Sequence, residues 1–575
     1  MKTRTFAVWL AVVSWCVLHS ALFAANPPYE VESRAEVKIP MRDGVELAAN
    51  IFLPIADGKF PVILARTPYG KGKPEGGPGR VWASRGYVYV SQDCRGKGTS
   101  GGQWVPFVHD RADGEDTHRW ILKQPWCNGQ IGTTGGSYLG YTQWISAPGA
   151  GDFLKAMFTL VPLVDVYDDL VYVGGAYQLQ VAMGWGSGTA GSTATRSWKR
   201  EDWLRALPLS TWDTAISQTV PYLRDWVAHP RFDDYWKPSS IRGRREAITA
   251  PIYTACGWYD LYAKSVFDHV NAVRKGSRSK EARKHQHLLV GPWPHGINRD
   301  RKVGDVDFGD GSLVKLDEIQ TKWFDHWLKG GKTDVGAWPP FRIFVMGRNQ
   351  WRDEQEWPLR RTRYVPHYFH SGGSANSLKG NGRLSTTKPG PEPADKFVYD
   401  PDDPVPTAGG CNLGGPAGPR DQTAVEQRND VLVFTSEPLK HELETTGPIK
   451  VVLYAASTAK DTDWTGKLVD VWPDGRAINL CDGILRARCR ESADKPKPIE
   501  PGKIYRYEID LWVTSNVFLP GHRIRVEISS SNFPRFDRNP NTGHPFGADA
   551  ERQKATQTIY HDGKRPSHVL LPLIP

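Results

Sequence analysis

The sequence predicts an α/β protein in three parts: a mostly parallel sheet with helices, a helical insertion that interrupts it, and an all-β region behind. Three observations carry this. Continuous apolar runs, PVILAR (61–66) and YVYVSQDC (87–94), read as strands buried on both faces, the IGTTG run (131–135) is a third, and helix-like DGEDTHRWIL (113–122) falls between the second and the third. Residues 164–245 then change character. They are rich in Trp, Asp and Arg, with helix-like REDWLRAL and VPYLRDWVAH and no long β run, after which PIYTACG (251–257) and HLLVGPW (287–293) resume the buried-strand pattern. From about residue 340, short strands alternate with Gly/Pro turns (IKVVLYAAS, KIYRYEIDLW, HRIRVEISS), the pattern of a sandwich or jelly roll. Ahead of all this, residues 35–64 alternate as two paired strands about the turn Arg42-Asp43-Gly44.

A chain of 575 residues is too long for one core, so two to four domains are expected. The net charge of +10 is spread along the chain. Its densest basic run, Lys275–Lys284, lacks interleaved aromatic residues, so no nucleic-acid partner is expected. Lys2 and Arg4 precede an apolar run from Phe6 to Val13 that continues brokenly to Phe23 and ends in Ala24-Ala25. This reads as a signal peptide over 1–25, too short and too interrupted for an anchor, and it predicts a secreted or periplasmic protein with no membrane span. Six of seven cysteines would remain after cleavage; the even number permits disulfides, and scattered buried thiols are the alternative. No CxxC or HExxH spacing occurs, so neither a metal nor an organic cofactor is expected.

The stretch IGTTGGSYLGYTQWIS (131–146) sets Ser137 on a glycine-flanked turn between a strand-like and a helix-like run. A serine between glycines is ordinarily turn chemistry. Here the strand–turn–helix context lifts the hydroxyl clear of the sheet and aims the N–H of Tyr138 at the place where an oxyanion would form, which marks a nucleophile. One departure stands out: a GxSxG elbow has glycine two residues after the serine, and this chain has Leu139 there, with Gly140 following.

A serine nucleophile needs a base and a carboxylate to orient it. PIYTACG runs into Trp258-Tyr259-Asp260, and HLLVGPW into Pro294-His295-Gly296, so Asp260 and His295 each fall just past a strand end, with one helix (SVFDHVNAVRK) between them. Asp268 falls inside that helix, and His285 and His287 fall at the opposite end of the strand from His295.

These residues resemble the cocaine-esterase-like, X-Pro dipeptidyl-peptidase-like serine hydrolases, which include α-amino acid ester hydrolases and glutaryl-cephalosporin acylase-like members. The resemblance rests on a GxSYxG elbow (Gly135, Ser137, Tyr138, Gly140) and on RTPYGK (66–71), DCRGKGTSGG (93–102), QPWCNGQIG (124–132), GWYD (257–260), GPWPHG (291–296) and KLVDVWPDG (467–475). It implies an α/β-hydrolase domain (26–163 and 246–345), a helical cap inserted at 164–245, and a C-terminal jelly roll at 346–575. It also implies that Tyr69, just past the PVILAR strand, donates its phenol O–H to the oxyanion beside the Tyr138 N–H. Gly96, Gly98 and Gly101 satisfy GxGxxG, but GQWVPF follows without a helix, so the segment reads as a structural loop in which Arg95 pairs with a carboxylate.

The expected reaction is acyl transfer through Ser137, His295 and Asp260 on a small-molecule ester, acyl-amide or short peptide substrate. Ester cleavage is preferred, and X-Pro dipeptide release or β-lactam acylase activity is the alternative. A peptidase would need a cap carboxylate for the substrate ammonium, for which Asp165, Asp168, Asp169, Glu201 and Asp202 are candidates. A catalytically idle protein whose β region binds carbohydrate is a distant alternative. Self-association into a homo-oligomer is left open.

Overall fold

The computed structural model describes residues 28–196, 201–413 and 415–575; the expected signal peptide lies outside them. A ten-stranded sheet takes up the first half of the chain. Its strands are β1 (Val31–Pro40), β2 (Glu46–Pro54), β3 (Phe60–Thr67), β4 (Val88–Asp93), β5 (Cys127–Gly136), β6 (Leu154–Leu160), β7 (Ile252–Tyr259), β8 (Gln286–Pro294), β9 (Phe341–Val345) and β10 (Gln350–Glu354). They lie in the order β1-β2-β4-β3-β5-β6-β7-β8-β9-β10. The pairs from β4 through β9 are parallel, and antiparallel pairs close both edges. The sheet thus runs past residue 345 to Glu354.

The parallel strands are apolar along their whole length because helices cover both faces. In β5, Thr133 Oγ1 donates to Gln143 of helix α2 (Tyr138–Ser146), whereas a β-carbon on Gly132 would meet Phe324 and Leu328 of α5 (Leu316–Lys329). Successive residues of one strand therefore face opposite helix layers. Helix α1 (Asp110–Leu122) and α4 (Ala263–Gly276) complete the outer layers, and Trp144 of α2 packs on His269 of α4.

Between β6 and β7 the chain forms short helices and a two-stranded ribbon. Among the described residues of that stretch the longest element is α3 (Leu179–Thr189), almost wholly buried and held by Leu223 packing against Gly186.

The second half is all β: a twelve-stranded, predominantly antiparallel sheet in which Leu443–Ser457 pairs with Tyr505–Phe518, and Asp463–Val471 pairs with both Ala477–Arg486 and Arg523–Ser529. Its interior holds charge. Arg486 is bonded to Asp463 at 2.9 Å and to Asp537 at 2.8 Å, all of them buried, so each charge has a desolvated partner. All six described cysteines (94, 127, 256, 411, 481 and 489) are free thiols, five of them buried. The scattered-thiol reading, and not the disulfide one, describes them. No helix among the described residues is long and apolar enough to cross a membrane.

Candidate active site

Ser137, Asp260 and His295 follow the last residues of β5, β7 and β8 directly. Parallel strands point their C-terminal ends to one edge, so residues 158 apart in the chain meet there. Ser137 Oγ lies 2.9 Å from His295 Nε2, and His295 Nδ1 lies 2.6 Å from Asp260 Oδ2. Asp260 is fully buried, and its other oxygen accepts the Tyr262 N–H at 2.9 Å. The carboxylate is thereby fixed as acceptor for Nδ1–H, which leaves Nε2 as the acceptor facing the serine hydroxyl. The Tyr262 ring meets the imidazole edge-on, centroids 5.4 Å apart, and restricts its rotation.

The elbow is strained where a nucleophile needs to be raised. Ser137 has φ 57° and ψ −119°, and its N–H is anchored on Leu160 O of β6 at 2.8 Å. Gly135 has φ +136°, and a β-carbon there would stand 2.4 Å from Leu139 Cβ. A β-carbon on Gly140 would stand 2.7 Å from Pro162 Cβ. The departure from GxSxG is thus accommodated: Leu139 folds over Gly135, and the glycine one residue later admits the helix onto the chain leaving β6.

Tyr138 opens α2, where first-turn amides have no intrahelical partner; the N–H groups of Gly140 and Tyr141 turn back to Ser137 O. The Tyr138 hydroxyl donates to Asp110 Oδ2 at 2.5 Å and accepts the Phe107 N–H at 2.8 Å. Burial raises the Asp110 pKa, against the pull of the Arg66 guanidinium 3.5 Å away. This network clamps the turn that carries the Tyr138 amide.

Tyr69 lies two residues past β3. Its phenol oxygen accepts the Trp185 indole N–H at 3.0 Å, and burial pushes its pKa up to about 12, so the hydroxyl keeps its proton at neutral pH. Tyr69, Ser137 and Tyr138 line one pocket with Phe107, Leu163, Leu170, Trp185, Tyr262 and Leu413, which bounds about 260 Å³ of empty space, counting the part open to solvent. Of these, Trp185 belongs to α3 and Leu413 to a loop of the C-terminal half. Sequence reading missed both, because no spacing links position 185 to 69 or 413 to 137.

The GxGxxG segment is a loop, as read. Asp93 takes the Lys71 N–H at 2.6 Å and its ammonium at 2.9 Å, and Arg95 pairs with Asp113 at 2.6 Å and Asp43 at 2.7 Å. Three of the cap acids are bonded within the protein. Asp165 is buried, accepting the Tyr167 and Asp168 N–H groups on one oxygen and Ser240 Oγ and Arg242 on the other. Asp169 is buried too, with one oxygen taking the Val164 and Asp165 N–H groups. Asp168 pairs with Arg242.

A parallel sheet whose strand ends bring a strained serine, an imidazole and a carboxylate into one hydrogen-bonded line beside an apolar pocket is the architecture of a serine hydrolase of the α/β-hydrolase class. The comparisons narrow this. Residues 43–297 match the X-Pro dipeptidyl-peptidase (S15 family), and residues 333–570 match the X-Pro dipeptidyl-peptidase C-terminal non-catalytic domain. Over 586 aligned residues the chain is 40% identical to a cocaine esterase of Rhodococcus sp. (strain MB1 Bresler), covering 95% of this chain and 99% of that protein. It therefore belongs to this cocaine-esterase and X-Pro dipeptidyl-peptidase family of serine hydrolases. Among solved structures it is similar to an aminopeptidase from a marine sediment Thaumarchaeota archaeon (TM-score 0.81, 26% identity, 97% of this chain and 98% of that one). It is also similar to an α-amino acid ester hydrolase (TM-score 0.78, 26% identity, 97% of this chain and 99% of that one).

Proposed function

We propose that the chain is a secreted carboxylic ester hydrolase that works through an acyl-enzyme on Ser137. The observation that carries the proposal is the unbroken line from Ser137 Oγ to His295 to Asp260, at 2.9 Å and 2.6 Å, opening on an aromatic pocket. His295 takes the serine proton as Oγ attacks the carbonyl, and Asp260 holds the imidazole in the tautomer that can accept it. Tyr69 O–H and the Tyr138 N–H receive the oxyanion, and His295 returns its proton to the leaving alcohol. Water then repeats the sequence on the acyl-enzyme. Phe107, Trp185, Tyr262 and the three leucines favour an apolar, ring-bearing acyl group.

The bonding of Asp165, Asp168 and Asp169 supports an ester or acyl amide over a peptide with a free N-terminus. An ammonium needs a carboxylate with an unoccupied face, whereas both oxygens of Asp165 are taken, by the Tyr167 and Asp168 N–H groups and by Ser240 and Arg242. One oxygen of buried Asp169 is taken by the Val164 and Asp165 N–H groups, and Asp168 is paired with Arg242. The basic-then-apolar leader, residues 2–25, supports export.

The test is a panel of 4-nitrophenyl esters, acyl anilides and Xaa-Pro anilides, with Ser137→Ala as control. Aromatic esters are expected to be hydrolysed fastest, and Ser137→Ala to lower turnover by about 10⁴-fold or more and to abolish fluorophosphonate labelling. Preference for Xaa-Pro anilides would replace the esterase reading with the peptidase one. Glycan binding by a chain that resists the probe would replace both.

A further inference from the structure

We propose that Trp185 is a positioning residue for the oxyanion site, its indole N–H turning the Tyr69 hydroxyl toward the reacting carbonyl. The inference rests on the reading above in which Tyr69 is an oxyanion donor. An indole N–H can only donate, so at 3.0 Å the Tyr69 oxygen must be the acceptor. A phenol has a single hydrogen that rotates about the C–O bond. With one lone pair engaged by Trp185, that hydrogen is directed elsewhere, and the pocket that also holds Ser137 lies beside it. The donation also polarises the O–H, as successive hydrogen bonds in a dry site do, which makes Tyr69 a stronger donor without ionising it.

Trp185 is itself held in place. Its ring stacks on Phe107 (centroids 5.4 Å apart, planes at 27°) and on Tyr138 (5.8 Å, 24°), and Phe107 stacks on Tyr138 (4.8 Å, 25°). Both oxyanion donors are therefore tied to one aromatic stack, Tyr138 through its own ring and Tyr69 through the indole. The helix carrying Trp185 is fastened at each end. Near its start the Gln180 N–H donates to Pro534 O of the β region at 3.2 Å. At its end the Lys97 ammonium reaches the Thr189 carbonyl while lying 4.4 Å from the Trp104 ring centre. That carbonyl is the negative end of the helix, where a cation is favoured. The oxyanion site is thus complete only when the segment between β6 and β7 is seated on the sheet.

A double-mutant cycle on the full-length chain, read with a 4-nitrophenyl ester of an aromatic acid, tests this. Tyr69→Phe is expected to lower kcat by about 10²–10³-fold. Trp185→Phe keeps an aromatic ring in the stack and loses the N–H; it is expected to lower kcat about tenfold while KM changes less than about threefold. In the Tyr69→Phe background the same change is expected to leave kcat within about twofold, because no hydroxyl remains to orient. Should Trp185→Phe fold poorly, 3-benzothienylalanine at position 185 keeps the shape of the ring without the N–H and is expected to give the same pattern. Equal losses in both backgrounds, or a change in KM alone, would overturn the inference and leave Tyr69 as donor intact. An undiminished kcat in Tyr69→Phe would instead remove the oxyanion reading of Tyr69, and this inference with it.

Discussion

The Cβ of Leu139 lies 2.4 Å from where a β-carbon on Gly135 would stand, so the residue that departs from the usual elbow pattern occupies the space that Gly135 leaves open. Gly135→Ala would add this clash to a strained φ of +136°. The expected cost is about 2–4 kcal/mol, read as a fall in Tm, with fluorophosphonate labelling lost because the hydroxyl is displaced.

Asp260→Asn should leave the fold intact, since the amide oxygen can still accept the Tyr262 N–H. Its NH₂ would face Nδ1 and favour the tautomer with hydrogen on Nε2, which cannot accept the serine proton. A fall in kcat of about 10⁴-fold is expected, with an unchanged melting curve. A loss below tenfold would remove Asp260 from the relay.

Tyr138→Phe separates scaffold from chemistry. The backbone N–H remains, but Asp110 and the Phe107 N–H each lose a buried partner. Stability should fall by about 2–4 kcal/mol in urea titrations, while kcat per folded molecule falls far less than in Tyr69→Phe.

Stability should also carry a pH signature from Asp169. Burial, followed by the nearby Asp165 charge, pushes its pKa up to about 7 from 3.8. An acid with a raised folded pKa contributes stability that is complete below its unfolded value and is lost as pH rises through the folded one. Urea midpoints of the native chain are therefore expected to decline between pH 4 and 8, and Asp169→Asn to flatten that decline. An unaltered slope in the variant would mean that Asp169 does not titrate in this range.

Much of this architecture is written locally. PVILAR and HLLVGPW are strands because an apolar run of that length needs helices on both sides, and the strand-to-helix switch at Ser137 is carried by Gly135, Gly136 and Gly140. Asp260 and His295 were legible as the residues just past the ends of two such strands. The pocket was not, because its walls come from across the chain: Trp185 sits in an apolar helix that reads as core, and Leu413 in an unpatterned loop. The bonding of Asp165 and Asp169 was equally hidden, since nothing in the run LVDVYDDL signals that backbone amides will close around both acids and that Arg242, more than seventy residues on, will pair with the first.

The presence of Leu413 in the pocket wall means that both halves of the chain shape the space beside Ser137. On the proposed mechanism, exchanging the C-terminal half would change the wall at position 413 while leaving Ser137, Asp260 and His295 in place. Chimaeras exchanging that half are accordingly a direct route to new substrate ranges, whereas the N-terminal half expressed by itself would have an acyl site missing one wall.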